Sequence, residues 1–524
     1  MLHECPNIRH VINMALLASE DSYEVYLKLA LCGGGMLSLL CPREVITFFA
    51  CLYKRSKVCG RGLTERAILR GLYGQALAWG AGVHWQESTE HLTEAITALS
   101  RPGLQPSYYL LLFLAERAKI HARQSKYDLA LRGFERARGL FGRIQTHALG
   151  EKFAVTEAKL RETELTTCVY ETVPMIFKGN NAAAKQRLLM LVELLEQEFP
   201  NSVELPTAYN QLGLSEQRGR SSAESTERAM ECYLICLRLR TYFLKINPIP
   251  LYAPYNNVSM LCYRSNDLGQ FYALLEKALQ ISREFDWLHY YTGLTLVHLA
   301  EGSIGRGHFL SALLYLKEAD RVLTITARDH HLRHRTLLEL AHVMIALSPN
   351  STHHRALQPE HQTHACEGRF HRDGELVPST VGMCKPISQD DLNKSAKYYL
   401  ERITEVARNM NGTLSDDGHH FILSAYEHAL SLNWGNAEEV DKFTTLIFDH
   451  VETNNFVELF EEKMPEKHHN LYRHKNVYWY LKECRSTGQE LDLETFLAKQ
   501  VPACTICAYG HKYFTTDVWL REIT

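Results

Sequence analysis

The stretch of sequence that decides the fold covers residues 293–326 and reads GLTLVHLAEGSIGRGHFLSALLYLKEADRVLTIT. Its apolar spacing predicts two amphipathic helices joined by a short turn. Gly305 and Gly307 lie in that turn, where the absence of a side chain relieves the backbone. Small residues on the two helix faces let antiparallel helices approach closely, and they are Ala300, Ala312 and Ala319. The stretch therefore predicts one unit of two packed helices.

The same spacing of small and large residues recurs upstream. The last small or apolar position of each unit falls at residues 95, 137, 195, 236, 278 and 319. The intervals are 42, 58, 41, 42 and 41 residues, so one interval is long and the others agree to within one residue. A fixed period of this length indicates a repeat architecture, in which each unit buries its apolar face against its neighbours.

The alternation of small and large positions resembles the tetratricopeptide repeat. That repeat usually has about 34 residues, and the longer period here is similar to the repeats of kinesin light chain and of the Leu-Gly-Asn-type polarity adaptors. The resemblance implies an all-α fold, a right-handed α-α superhelix (a solenoid) with helical caps at both ends. It also implies a non-catalytic scaffold or adaptor that binds an extended peptide or a helix of a partner protein.

Composition and pattern divide the chain into five predicted segments. They are an N-terminal helical cap (1–65), the main repeat array (66–347), an insertion rich in His, Pro and Gly (348–388), degenerate repeats (389–455) and a C-terminal helical cap (456–524). The insertion has little apolar periodicity, which favours disorder. Caps are expected because terminal repeats must cover an apolar face.

The overall charge and the N-terminal sequence indicate which classes of partner to expect. Lys and Arg number 57 and Asp and Glu 60, so the formal net charge of −3 gives no support for nucleic-acid binding. The longest uncharged run near the start, residues 29–42, is short and contains three glycines, so no membrane insertion is predicted. Scattered cysteines and the lack of an apolar signal segment favour an intracellular location, cytoplasmic or nuclear. Neither a cofactor nor a small-molecule substrate is predicted.

Side chains on the first helix of each repeat are expected to line the concave groove of the solenoid. The groove positions carry amides, arginines and one histidine: Arg123, Asn210, Gln211, Arg218, Asn256, Asn257, Arg264 and His298. An amide both donates and accepts, which suits a peptide backbone, and an arginine suits a carboxylate. The run Tyr-Asn-Asn-Val at 255–258 resembles the groove asparagine of kinesin-light-chain repeats, which in that family bonds the peptide backbone. The arginines are also explained by the helix dipole, which favours cations at helix C-terminal ends.

A different interpretation rests on four residues near the C-terminus. Cys504 and Cys507 form a C-x-x-C pair ahead of His511, and Cys484 lies upstream. These residues would supply four zinc ligands, or the site of an enzyme. A single C-x-x-C without a second pair at a defined spacing is a weak signal. Reduced thiols in a helical cap explain it as well, so no metal site is predicted.

Three functions therefore stay open at this point. The first is the scaffold or adaptor. The second is a constitutive subunit of a larger assembly, since long-repeat proteins of similar architecture serve in the cohesin loader and the anaphase-promoting complex. The third is an enzyme or zinc protein that uses the C-terminal Cys and His segment.

Overall fold

The structure is a computed structural model, and it describes most of the chain in separate stretches. The long stretches are 23–40, 42–79, 84–146, 149–218, 222–243, 249–285, 288–328, 330–346, 416–432, 436–461 and 474–492. The short ones are 369–370, 376–377, 398–400, 402–403, 471, 495–496 and 499. The chain forms two compact units, unit 1 (Met1–Tyr291) and unit 2 (Thr292–Thr524).

Unit 1 is a succession of helices, each of which packs against the next along the chain. They are α1 (Tyr23–Leu40), α2 (Pro42–Val58), α3 (Leu63–Trp79), α4 (Trp85–Leu99), α5 (Tyr108–Arg123), α6 (Tyr127–Arg138), α7 (Glu157–Phe177), α8 (Asn181–Glu198), α9 (Leu205–Arg218), α10 (Ala223–Phe243), α11 (Tyr252–Arg264) and α12 (Leu268–Phe285). Short 3-10 turns at Glu151–Phe153 and Ile249–Leu251 precede α7 and α11. We call α3, α5, α7, α9 and α11 the first helices, and α4, α6, α8, α10 and α12 the second helices.

Helix α13 (Tyr290–Gly305) begins in unit 1 and continues into unit 2. The further helices of unit 2 are α14 (Phe309–Thr326), α15 (His331–Ala346), α16 (Asp416–Leu432), α17 (Ala437–Thr453), α18 (Phe456–Glu461) and α19 (Lys475–Thr487). Within the predicted insertion the structure describes two antiparallel two-residue strands, β1 (Arg369–Phe370) and β2 (Leu376–Val377). The other residues of 348–388 lie outside the described residues.

The prediction of an all-α fold built from repeated helix pairs is confirmed. The small positions that defined the repeat are all fully buried, and they include Ala118, Ala137, Ala278, Ala300, Ala312 and Ala319. Burial of small residues where two helices cross lets the helix axes approach, and the larger neighbours then fill the remaining space. The hand of the superhelix and the five segment boundaries stay predictions.

One turn geometry recurs between the helices of a pair. The second residue after the helix is left-handed at Ser125 (φ 61), Gly179 (φ 81), Asn266 (φ 60) and Gly307 (φ 75). In each turn the next backbone N–H donates to a carbonyl five residues back, as from Lys126 to His121 O at 2.8 Å. This Schellman arrangement satisfies the last carbonyls of the first helix and reverses the chain. The predicted turn glycine, Gly307, is therefore one case of a wider rule that Ser and Asn also follow.

Candidate functional site

Two of the predicted groove residues contact each other across unit 1. Asn257 on α11 donates a hydrogen bond from Nδ2 to Oδ1 of Asn210 on α9, at 3.1 Å. Asn210 is buried and Asn257 is half-buried. This contact, which we call the asparagine pair, joins two first helices directly, past the second helix between them.

The asparagine pair uses one polar atom of each amide. The second atoms, Nδ2 of Asn210 and Oδ1 of Asn257, have no hydrogen-bond partner among the described residues and are not sealed from solvent. One is a donor and the other an acceptor. An extended peptide backbone offers both groups along each edge, so the pair has the chemistry to bond one.

Gln211 follows Asn210 on α9 and is half-buried. Its Oε1 atom is buried and has no partner among the described residues. A buried acceptor without a donor costs on the order of 1–3 kcal/mol.

Two predicted groove residues instead lie inside the helix packing. Asn256 is fully buried and donates from Nδ2 to the carbonyl oxygen of Tyr252 in its own helix, at 2.9 Å. His298, in unit 2, is buried, and burial together with the charge of Arg335 lowers its pKa to about 3. We therefore leave both residues out of the proposed contact surface.

The three predicted arginines are exposed at the ends of first helices, but two of them have intramolecular contacts. Arg123 donates to the carbonyl oxygen of Ala78 near the end of α3, at 2.9 Å. The guanidinium of Arg218 lies over the ring of Phe177, 4.2 Å from its centroid. Both contacts fit the structural role that the helix dipole alone suggests. Arg264 lines an open cleft beside α10 instead.

Sequence reasoning missed an aromatic cluster that lies near Arg123 and Arg218. The rings of Tyr252, His289 and Tyr291 are nearly parallel, with centroids 5.4–5.7 Å apart. Tyr290 contacts Trp85 with ring centroids 6.2 Å apart. The run of three aromatic residues at the start of α13 was the available signal, because such a run does not fit a single buried helix face.

The pKa shifts of two residues in this cluster include contributions from two of the predicted arginines. Burial, and then the nearby charge of Arg123, lower the pKa of His289 to about 4, so the ring is neutral at pH 7. Burial raises the pKa of Tyr290, while the charge of Arg218 acts in the opposite direction. The chain's own aromatic side chains therefore lie beside Arg123 and Arg218. Among the described groove residues, the asparagine pair, Gln211 and Arg264 keep polar groups without a hydrogen-bond partner.

Of the four residues of the zinc alternative, the structure describes one. Cys484 is buried in α19. Cys504, Cys507 and His511 lie outside the described residues. No group of three or more His, Cys, Asp or Glu side chains in the described part of the chain has the geometry to hold a metal ion. No described helix is both long and apolar enough to span a bilayer.

The helix pairs and their turns define an all-helical repeat protein. No family model matches the sequence, and a comparison with curated proteins finds no match. Among solved structures, a Rap protein complexed with competence and sporulation factor aligns with a TM-score of 0.48 and 8% identity, over 82% of this chain and 98% of that chain. A circular tandem repeat protein with a novel repeat topology and enhanced subunit contact surfaces aligns over 99% of each chain, with a TM-score of 0.14 and 12% identity. At these values the likenesses carry no argument about function.

Proposed function

We propose that this chain is a non-catalytic scaffold that binds other proteins, as long-period tetratricopeptide adaptors do, and that the asparagine pair holds an extended segment of a partner. The observation that carries the proposal is the unpartnered donor of Asn210 and acceptor of Asn257, within the described part of the chain. Two first helices fix these atoms in one place, so little side-chain entropy is lost when a peptide binds.

The unpartnered oxygen of Gln211 supports the same location. Peptide backbones carry donors and acceptors at a regular spacing, so one extended segment can bond both amides of the asparagine pair. Recognition of the backbone sets affinity, while neighbouring side chains set specificity. The identity of the partner and the intracellular location stay predictions.

The test compares partner capture by the full chain and by the double variant Asn210→Ala plus Asn257→Ala. Each lost hydrogen bond contributes about 1 kcal/mol, so the double change weakens the peptide complex by roughly 10- to 30-fold. Circular dichroism checks that the helices persist. The matched control is Asn201→Ala, which removes an exposed amide in the α8–α9 connection.

Quantitative mass spectrometry of the captured proteins decides the outcome. Loss of the same partners from the double variant, with retention on the Asn201→Ala variant, supports the proposal. Unchanged capture by all three proteins contradicts it.

A further inference from the structure

Three aromatic residues and an arginine of unit 1 share one place in their repeats. Trp85 begins α4 and Tyr127 begins α6, while Phe177 and Arg218 end α7 and α9, so each lies where a first helix turns into a second helix. The rings of Tyr127 and Phe177 stack, with centroids 5.3 Å and planes 12° apart. The guanidinium of Arg218 lies over the same Phe177 ring, 4.2 Å from its centroid. We call these four residues the aromatic seam.

The chain's own residues 288–291, Leu-His-Tyr-Tyr, lie against the aromatic seam. The Tyr290 ring lies 6.2 Å from the Trp85 ring, centroid to centroid. Burial raises the pKa of Tyr290, and Tyr127 and Arg218 are close enough to act on it in opposite directions. Residues 288–291 follow α12, five helix pairs after the one that Trp85 belongs to. The seam is therefore a surface on which a short tyrosine segment from a distant repeat is already seated.

This occupant leaves two features of the site unsatisfied. The indole Nε1 of Trp85 is buried and has no hydrogen-bond partner among the described residues. A buried donor without an acceptor keeps its desolvation penalty. Arg123 and Arg218 are both exposed at these turn ends, and residues 288–291 contain no carboxylate to meet them. A segment that brings both an aromatic ring and carboxylates would fit the seam better than the chain's own residues do.

We propose that the aromatic seam binds an acidic, tyrosine-containing segment of a partner protein, and that residues 288–291 occupy this site until the partner displaces them. A tyrosine of the partner takes the place of Tyr290 beside Trp85, where ring contacts and the Arg218 cation favour an aromatic group. A carboxylate next to it accepts from Trp85 Nε1 or pairs with Arg218. Residues 288–291 compete well because their link to α12 gives them a high effective concentration at the seam.

This site differs from the asparagine pair in both place and chemistry. The seam lies at the turn ends and recognises side chains, whereas the asparagine pair lies within α9 and α11 and recognises a peptide backbone. The Asn210→Ala plus Asn257→Ala variant leaves the seam in place. The two proposals therefore fail separately, because peptide binding that persists in this variant belongs to the seam.

The test uses three designed ten-residue peptides and the full chain. The first peptide has two central tyrosines flanked by aspartates, the second has alanines in place of the tyrosines, and the third has lysines in place of the aspartates. Fluorescence anisotropy measures their binding to the unaltered chain and to Tyr290→Ala, which removes the occupant's ring. We expect the first peptide to bind Tyr290→Ala at least about tenfold more tightly than it binds the unaltered chain, and the other two peptides to show no such gain.

Matched variants locate the contact. Tyr272→Ala removes a half-buried tyrosine of α12 outside the seam, and we expect it to bind the first peptide as the unaltered chain does. Arg218→Glu, added to Tyr290→Ala, is expected to weaken the first peptide by about tenfold or more, because it replaces an attraction with a repulsion. Arg132→Glu in the same background changes an exposed arginine of α6 and is expected to have little effect.

Hydrogen exchange of the unaltered chain gives a readout that needs no substitution, should Tyr290→Ala fail to keep its helices by circular dichroism. Saturating first peptide is expected to speed the exchange of amides 288–291 by at least about threefold, because these residues leave the seam. The second peptide at the same concentration is expected to leave their exchange unchanged.

Four results would overturn the proposal. The first is equal binding of the first peptide to the unaltered chain and to a folded Tyr290→Ala variant. The second is binding that does not depend on the tyrosines or the aspartates, including no binding of any peptide. The third is an equal effect of Arg218→Glu and Arg132→Glu. The fourth is unchanged exchange of amides 288–291 at saturating first peptide.

Discussion

Buried carboxylates are neutralised differently in the α5–α9 region of unit 1 and in the α16–α19 region of unit 2. In the α5–α9 region each buried glutamate contacts a permanent cation. The pairs are Glu116 with Lys119 at 2.8 Å, Glu171 with Arg187 at 2.6 Å and Glu216 with Lys185 at 2.7 Å. Lysine and arginine keep their charge across the physiological pH range.

In the α16–α19 region, histidines rather than lysine or arginine contact the buried glutamate and one another. Glu427 accepts from or donates to Nδ1 of His474 at 2.8 Å, and Nε2 of His474 contacts Nδ1 of His420, also at 2.8 Å. A second contact joins Nδ1 of His419 and Nε2 of His450 at 3.1 Å. Histidine changes charge near neutral pH. Two all-helical regions with the same kind of packing can therefore differ in how strongly they respond to acid.

The largest expected effect is the response to acid. Burial lowers the pKa of His419 to about 3 and that of His450 to about 4, and in the α5–α9 region it lowers the pKa of His121 to about 4. Because the unfolded imidazole takes up a proton below about pH 6.5 and the buried one does not, stability falls as the pH drops from 6.5 toward 4. At pH 5 each histidine costs about 2 kcal/mol, so the α16–α19 region loses about 4 kcal/mol and the α5–α9 region about 2 kcal/mol.

The prediction rests on His419 and His450. Burial raises the pKa of Glu427 well above its usual value, and this shift acts against the two histidines. Hydrogen exchange at pH 6.5 and 5.0, corrected for intrinsic rates, measures both regions at once. Equal loss of protection in the two regions would contradict the comparison.

The two regions also differ in how closely their helices approach. In the α5–α9 region and its partner α10, a Cβ on Gly213 would lie 2.7 Å from a ring carbon of Tyr233, which is fully buried. Between α17 and α19 large rings fill the space instead, with Phe448 and Tyr478 centroids 5.6 Å apart. The Gly213–Tyr233 contact therefore requires that residue 213 has no side chain, whereas the Phe448–Tyr478 contact requires two large rings.

Gly213→Ala is expected to destabilise unit 1 by about 1–3 kcal/mol, because overpacking outweighs the helix propensity gained. The control is Gly269→Ala on α12, where the nearest heavy atom is 3.7 Å away and a gain of up to about 1 kcal/mol is expected. Urea unfolding followed by circular dichroism measures both changes. A neutral or stabilising Gly213→Ala would show that the helices have room to separate.

The smallest expected effect concerns the turns. Asn455, after α17, and Ser125, after α5, are both left-handed without being glycine. Asn455→Gly relieves this backbone strain, and we expect a gain of up to about 1 kcal/mol. Ser125→Gly is expected to gain less, because the Ser125 hydroxyl also contacts Tyr127 Oη at 3.5 Å. Thermal unfolding of the two variants measures both gains in stability. A larger gain for Ser125→Gly than for Asn455→Gly would contradict the prediction.

The sequence was enough to predict the helix pairs and their period, because small residues at a fixed spacing have one physical use in such a chain. It predicted Gly307 in a turn but not Ser125 or Asn266, since those residue types tolerate the left-handed backbone without requiring it. The groove residues were harder to predict. Asn256 and Asn257 are neighbours in sequence, and their burial differs because one faces the packing and the other the first-helix surface.

The Tyr290 contact with Trp85 was not predictable from the pattern, because the two residues are 205 positions apart. Contacts between distant repeats depend on the curvature of the array, which no local spacing encodes. Local rules therefore predict which residues form a repeat, and tertiary packing decides which of its polar residues stay available.

Site-specific photo-crosslinking tests most directly whether first-helix surfaces of unit 1 bind a partner protein. A benzophenone side chain replaces Met260, one turn after Asn257 on α11, and in a control protein it replaces Leu189 on α8. We expect partner adducts from position 260, abolished when Asn210→Ala and Asn257→Ala are added, and none of the same adducts from position 189. Adducts from position 189 alone, or adducts at position 260 that survive the double change, would contradict the account.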